Sequence, residues 1–322
     1  MTHVERLGNT FNIPISKDEE GFLGRECPVP DCEGYFKITP GTGLQGTTDC
    51  ICPYCGHKGK QNEFFTKDQI EYAKSVALRK ITGAIVKDLK TLEFEHKPKG
   101  PFGIGLSLKV EPGRQRPIYW YREKELETQI VCSSCTLKYA VYGVFGFCPD
   151  CGQHNSLQIL QNNLNLVQKM MDLVKLADAE ISIKIIENAL EDCVSSFDGF
   201  GRELCRVNSG KSKHPDKINK ISFQSLGGAK EGIKNYFEID LDAGISGDEW
   251  RVANTSFQKR HLLAHKMGII DDDYVKRSGD ATAIIGRKIV ITFEDVVSLI
   301  PIIEKLAEFL VKSLADLTTN QK

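Results

Sequence analysis

The chain has 322 residues, 41% of them hydrophobic and 26% charged, a composition of ordinary globular protein long enough for two or three domains. No apolar run approaches a membrane span and no basic-then-apolar leader opens the sequence, so neither a membrane nor a secretory class is expected and the cytoplasm is. A net charge of −1 gives no whole-molecule attraction to nucleic acid, so any such contact has to come from local patches.

The first 64 or so residues are rich in Gly, Pro and Cys, which predicts short strands and turns. Cys27 and Cys32 form one close pair, and Cys52-Pro-Tyr-Cys55-Gly forms a second. Cys50 and His57 lie close enough to compete for one ligand position, but four cysteines are the expected set. Thr66 and Lys67 then open a helix carried to about Lys90 by Ile70, Ala73, Val76, Ile81, Ile85 and Leu89. Around the first pairs, Lys58, Lys60, Lys67, Lys74, Arg79 and Lys80, with Phe64, Phe65 and Tyr72, could contact nucleic acid; packing of those aromatics beneath the ribbon is the stronger expectation.

Lys97 to Gly105 breaks the helix as a turn or linker. Alternation at Leu106–Val110 and Ile118–Tyr121 predicts strands leading into Cys132-Ser-Ser-Cys135 and Cys148-Pro-Asp-Cys151-Gly. Eight of the 11 cysteines thus fall into four close pairs, a pattern of metal thiolates in a reducing compartment and not of disulfides. Two such pairs can surround Zn²⁺ with four thiolates and leave no position for water, which marks a structural site. Two structural Zn²⁺ ions are expected, one on Cys27, Cys32, Cys52 and Cys55, the other on Cys132, Cys135, Cys148 and Cys151. No catalytic metal is expected. Cys193 and Cys205 are expected to be inert core thiols.

From about Ser156 the pattern becomes helical. Leu160, Leu164, Val167, Met171 and Val174 step by four, three, four and three. A second helix carries Ile183, Ile186, Leu190, Val194 and Phe197 on one face, with Gly199 and Gly201 expected to end it. Phe197-Asp198-Gly199-Phe200-Gly201-Arg202-Glu203 could also bring Arg202 or Glu203 near a cleft. A basic stretch from Arg202 to Lys234 offers either phosphate contacts or a solvated loop. A short helix near Ala229–Phe237 follows. A short strand or extended segment at Lys288–Ile291 precedes a final helix capped by Thr292 and Asp295, with Pro301 expected to kink it or delay its start. Asp271, Asp272 and Asp273 read as a solvated loop more than a metal site.

Between these lies a helix from Asp248 to Met267, ended by Gly268. Trp250, Ala253, Phe257 and Ala264 fall on a narrow apolar arc, with Arg260 on one flank, His261 on the other and His265 one turn further. A guanidinium and an imidazole turned toward a packing surface are costly unless they serve a polar cleft or interface.

Arg260-His261-Leu262-Leu263-Ala264-His265 resembles the Arg-x4-His motif of HEPN domains. Gly268-Ile269-Ile270-Asp271, Tyr274 and the segment from Ile289 to Thr292 before the last apolar helix are also similar to that family. The resemblance spans about Ser156–Leu317. It implies a helical bundle that dimerises so that two motifs face one cleft, acting on RNA as a metal-independent endoribonuclease, and in prokaryotes a toxin or antiphage effector. It equally implies the alternative of an inactive dimerisation module in an RNA- or protein-binding adaptor. Met267 stands where some relatives carry a Tyr that is modified. Arg260 and His265 sit about 140° apart around an ideal helix, so a two-fold pairing of motifs is expected to bring them together.

The fold class expected is therefore mainly α: a C-terminal HEPN-like helical bundle preceded by two small β-rich zinc ribbons, α+β overall. The expected domains are residues 1–64 (ribbon 1), 65–101 (helical linker), 102–155 (β-rich segment with ribbon 2) and 156–322 (helical domain). The expected partners are RNA, a second copy of the chain and an activating protein or nucleic acid, with no membrane.

Overall fold

A computed structural model describes residues 2–97 and 106–317, except the side chain of His96. The expected turn at Lys97–Gly105, and with it the boundary at 101/102, lies almost wholly outside the described residues. The chain is helix-rich with small sheets and divides into two compact units, Met1–Gln153 and His154–Lys322.

In the first unit, β1 (Leu23–Glu26), β2 (Tyr35–Ile38), β7 (Thr128–Val131) and β8 (Lys138–Val141) build one antiparallel sheet in the order β1-β2-β8-β7. The two cysteine groups therefore share a sheet: β2 follows Cys32, β8 follows Cys135, and Lys37 pairs with Ala140. Phe36, Ile38, Phe64, Leu137, Tyr139 and Val141 pack with the cysteines into a small core. The hairpins β3 (Asp49–Ile51) with β4 (Lys58–Lys60), and β5 (Phe94–His96) with β6 (Leu106–Leu108), are separate. Ile118–Tyr121 forms no strand, because its backbone and side chains bond across to α1 instead of to a neighbouring strand.

Helix α1 (Lys67–Lys90) begins where Thr66 and Gln69 complete a reciprocal cap, the Thr66 hydroxyl accepting from Gln69 N–H at 3.1 Å. Of its 24 residues only Gln69 and Ala84 are buried.

The second unit holds α2 (Ser156–Leu173), α3 (Ala179–Val207), α4 (Leu226–Phe237), α5 (Gly247–Lys266), α6 (Asp272–Ser278) and α7 (Phe293–Asp316). α2, α3 and α7 pack on one another, and α5 packs on α3, α6 and α7. The α2 seam of Leu160, Leu164, Val167 and Met171 is buried as its spacing predicts. Ile183 instead is exposed. α7 runs through Pro301 without interruption. The segment at Lys288–Ile291 makes only an isolated bridge, Ile269 to Lys288, and no strand.

Gly199 and Gly201 do not end α3, which continues to Val207. A Cβ at Gly201 would stand 2.6 Å from the Phe223 ring, so the glycine serves close approach of a distant segment. Phe223 meets Phe197 edge-on at 5.5 Å, and Phe197 meets Phe257 of α5 at 6.1 Å. Asp198, buried beside them, accepts from Phe223 N–H at 2.6 Å and so fixes the turn before α4.

Asp271–Asp273 is not a loop. Asp271 caps α6 by accepting from Tyr274 N–H at 2.9 Å, and Asp273 pairs with Arg277 in the next turn.

Candidate metal centres and the exposed histidine pair

Each cysteine group brings its sulfurs within 4.8 Å of one another: Cys27, Cys32, Cys52 and Cys55 in one, Cys132, Cys135, Cys148 and Cys151 in the other. The nearest sulfurs are 3.6 Å (Cys27–Cys55) and 3.8 Å (Cys32–Cys52) in the first, and 3.6 Å (Cys132–Cys151) and 3.4 Å (Cys135–Cys148) in the second. A tetrahedron with metal–sulfur bonds of about 2.3 Å has edges of about 3.8 Å, so both groups fit a single ion. Cys50 and His57 stand outside the first set; the Cys50 thiol is buried and pushed up to about 12.

The local backbone explains the geometry. In every pair, the residue after the second cysteine takes a left-handed conformation: Glu33 (φ 42°), Gly56 (φ 73°), Thr136 (φ 64°) and Gly152 (φ 73°). In the three CxxC pairs the chain then turns back onto the first cysteine, as when Gly56 N–H donates to Cys52 C=O at 3.0 Å and Thr136 N–H to Cys132 C=O at 2.9 Å, whereas in the wider Cys27/Cys32 pair Glu33 N–H donates to Val29 C=O at 3.0 Å. Burial pushes the Cys27 and Cys135 thiols up to about 11, so binding a metal displaces protons. Cys193 and Cys205 are fully buried in the helical unit, each pushed up to about 12 by burial.

The helix carrying Arg260, His261 and His265 differs from its expected wheel. Ala253, Ser256, Phe257 and Arg260 form the buried stripe of α5, and Ala264 is exposed. Arg260 is not on a flank facing a cleft: its side chain is 4% exposed, and Nη2 donates to Gln224 C=O at 2.8 Å. Nη1 lies 3.8 Å from the Glu191 carboxylate, which is 44% exposed, and Nε has no hydrogen-bond partner among the described residues. Sequence reasoning missed Gln224, because a carbonyl 36 positions away carries no signature in its side chain.

His261 is half-buried and His265 exposed, and their rings lie 4.8 Å apart. Burial first, then the charges of His265, Arg260, Arg277 and Lys266, hold His261 below the usual imidazole value. The chain leaves α5 through Met267 and Gly268, both left-handed, with Gly268 N–H donating to Leu262 C=O at 2.8 Å. Residues 268–270 then bond to 286–289, which sets a group of exposed apolar side chains beside the helix end: Met267 (86%), Ile269, Ile284, Ile285 and Val290 (70%).

Arg202 and Glu203 do not join this pair. Arg202 lies 3.8 Å from Asp198, and Glu203 binds His154 at 3.2 Å and Arg206 at 2.7 Å. Most of the basic stretch is paired as well: Lys213 with Glu238, Lys230 with Asp242, Lys234 with Asp240, and Lys211 with the Leu314 carbonyl.

No protein-family model, curated protein or solved structure matches the chain. No helix among the described residues is long and apolar enough to cross a membrane.

Proposed function

We propose that this protein is a HEPN-type endoribonuclease that needs no catalytic metal, works as a homodimer and holds one structural Zn²⁺ in each four-cysteine group. The observation that carries the nuclease reading is the His261–His265 pair, 4.8 Å apart at the open end of α5. Two imidazoles this close disfavour double protonation, and His261 is the ring held toward its neutral form.

A neutral imidazole and a protonated one are what RNA transesterification requires. The 2′-oxygen attacks phosphorus and gives its proton to His261. The P–O5′ bond breaks, and His265 donates its proton to the departing 5′-oxygen. The products are a 2′,3′-cyclic phosphate and a 5′-hydroxyl. Each proton transfer contributes about 10²–10⁴ in rate. Arg260, bonded to Gln224 from within the unit, serves as a positioning residue whose charge helps to keep His261 neutral. The exposed apolar group around Met267 and Val290 supports a second copy closing over the pair, which supplies further groups to the phosphate. A role as a toxin or antiphage effector in the cytoplasm follows only from the resemblance to HEPN domains.

The burial of Arg260 favours a second reading, an inactive HEPN-like dimerisation module in an adaptor that binds RNA or protein. Incubation with RNA lacking added Mg²⁺ separates the two. The nuclease reading expects a dimer in sedimentation and cleavage that stops when the 2′-hydroxyl is removed. An intact RNA, or cleavage indifferent to the 2′-hydroxyl, supports the adaptor.

A further inference from the structure

The strap before β7 carries a basic-aromatic sequence that the two cysteine groups do not use. From Arg114 to Lys124 it contains Arg114, Arg116, Arg122 and Lys124, three consecutive aromatics (Tyr119, Trp120, Tyr121) and one acid, Glu123. The strap has no regular secondary structure, yet it is fixed on both sides of Trp120. Before it, Tyr119 N–H donates to Ser75 Oγ at 3.0 Å and Tyr119 OH to Asp68 at 2.7 Å. After it, Glu123 accepts from Tyr35 OH at 2.5 Å and from Gln69 Nε2 at 3.1 Å, and Lys124 N–H donates to Tyr35 OH.

Held this way, Trp120 still leaves 73% of its surface in solvent. An indole normally covers itself by folding onto the core, and here its ring contact among the described residues is with Tyr72 of α1, at 5.6 Å. Tyr72 in turn meets Tyr121 at 5.9 Å. The result is an exposed indole on an anchored backbone, with the Tyr72 ring inclined 42° beside it. The neighbouring acids are already engaged: Asp68 and Glu123 as above, Glu71 by Lys74. Among the described residues, Arg114, Arg116 and Arg122 are exposed and make no ion pair, so the strap that carries Trp120 also carries unneutralised positive charge on both sides of it in sequence.

We propose that Trp120 and Tyr72 form a stacking platform for unpaired bases of single-stranded RNA, with Arg114, Arg116 and Arg122 meeting the phosphates. Bases stack on aromatic rings whatever their identity, and a backbone already anchored on both sides of Trp120 loses little entropy on binding. The choice of RNA over DNA rests on the nuclease reading; the platform itself does not.

The test uses the full zinc-loaded chain with His265→Ala to prevent cutting and Trp250→Phe to leave Trp120 as the sole tryptophan, since the chain has two. Added oligo(U) RNA of twelve nucleotides should quench Trp120 emission and bind more weakly as salt rises. Trp120→Ala should weaken binding, followed by a labelled oligonucleotide, by about tenfold or more, and Trp120→Phe should restore most of it. Absent quenching, equal affinity of the Trp120→Ala protein, tighter binding of a duplex or of oligo(dU), or a protein captured through Trp120 in place of RNA would each overturn the proposal. Quenching in the His265→Ala protein, together with no cutting by the protein that keeps His265, leaves the platform standing and removes the nuclease. Cutting that depends on His265 without quenching does the reverse.

Discussion

Single residues set the geometry at three points where the chain has little freedom. Gly201 lies inside α3 because the Phe223 ring occupies the space of a side chain. Gly201→Ala improves helix propensity and still destabilises, by about 1–3 kcal/mol, because the ring cannot retreat from a packed aromatic cluster. Urea unfolding of the variant checks this, and a neutral or stabilising result would mean that Phe223 moves freely. Thr136 is the converse case, a β-branched residue at φ 64° in a turn that the metal group requires. Thr136→Gly relieves that strain and should raise stability by about 1 kcal/mol, a rise in melting temperature being the readout. Arg260 is the third: its carbonyl partner is invisible in sequence, so the wheel placed it beside a cleft and the fold places it under one turn of backbone.

At the scale of elements, Glu203 ties α3 to the start of the helical unit through His154 and Arg206. Burial opposes its charge, but the hydrogen bonds from Arg206 and His154 outweigh it and hold the carboxyl at about 2, below the ordinary 4.5. A depressed carboxylate stabilises the fold above its unfolded value and loses that contribution as pH falls through the folded one. Glu203→Gln should therefore be less stable than the parent at pH 7, with the gap closing between about 4.5 and 2. Denaturant midpoints by circular dichroism across that range would show it; a gap independent of pH would assign the effect to packing.

The elements that sequence predicts well are those written in neighbouring residues. The Thr66–Gln69 cap starts α1, Thr292 with Asp295 starts α7, and the four-three spacing of Leu160 to Met171 buries α2. The cysteine pairs belong to the same class, since each turn is closed by residues adjacent in sequence. What stayed hidden depends on distant partners. Gly199 and Gly201 look like helix breakers until Phe223 arrives. Ile118–Tyr121 alternates like a strand, but its polar groups are taken by Ser75 and Asp68 of α1. Likewise the pairing of Lys37 with Ala140, which merges the two ribbons into one sheet, has no local signal.

For the whole molecule, the two units differ in what holds them. The helical unit has an extended apolar core from α2, α3 and α7. The first unit has a small core in which the cysteines themselves are members. A structural metal such as zinc in each four-cysteine group would supply on the order of 10–16 kcal/mol, so its removal should unfold the first unit and leave the helices of the second. Limited proteolysis after chelation should then yield a resistant fragment beginning near residue 154; uniform resistance would show that the sheet stands without metal. Because chelation is expected to unfold the first unit, loss of activity in a chelator says nothing about the chemistry.

The ends of the cleaved RNA test the nuclease most directly. Zinc-loaded protein without added Mg²⁺ should leave 2′,3′-cyclic phosphate and 5′-hydroxyl termini. His265→Ala should abolish them, and Arg260→Ala should slow their formation and shift its dependence on pH upward, since His261 loses one of the charges that depress it while its burial remains. Termini bearing 5′-phosphate, or undiminished cutting by the His265→Ala protein, would contradict the account.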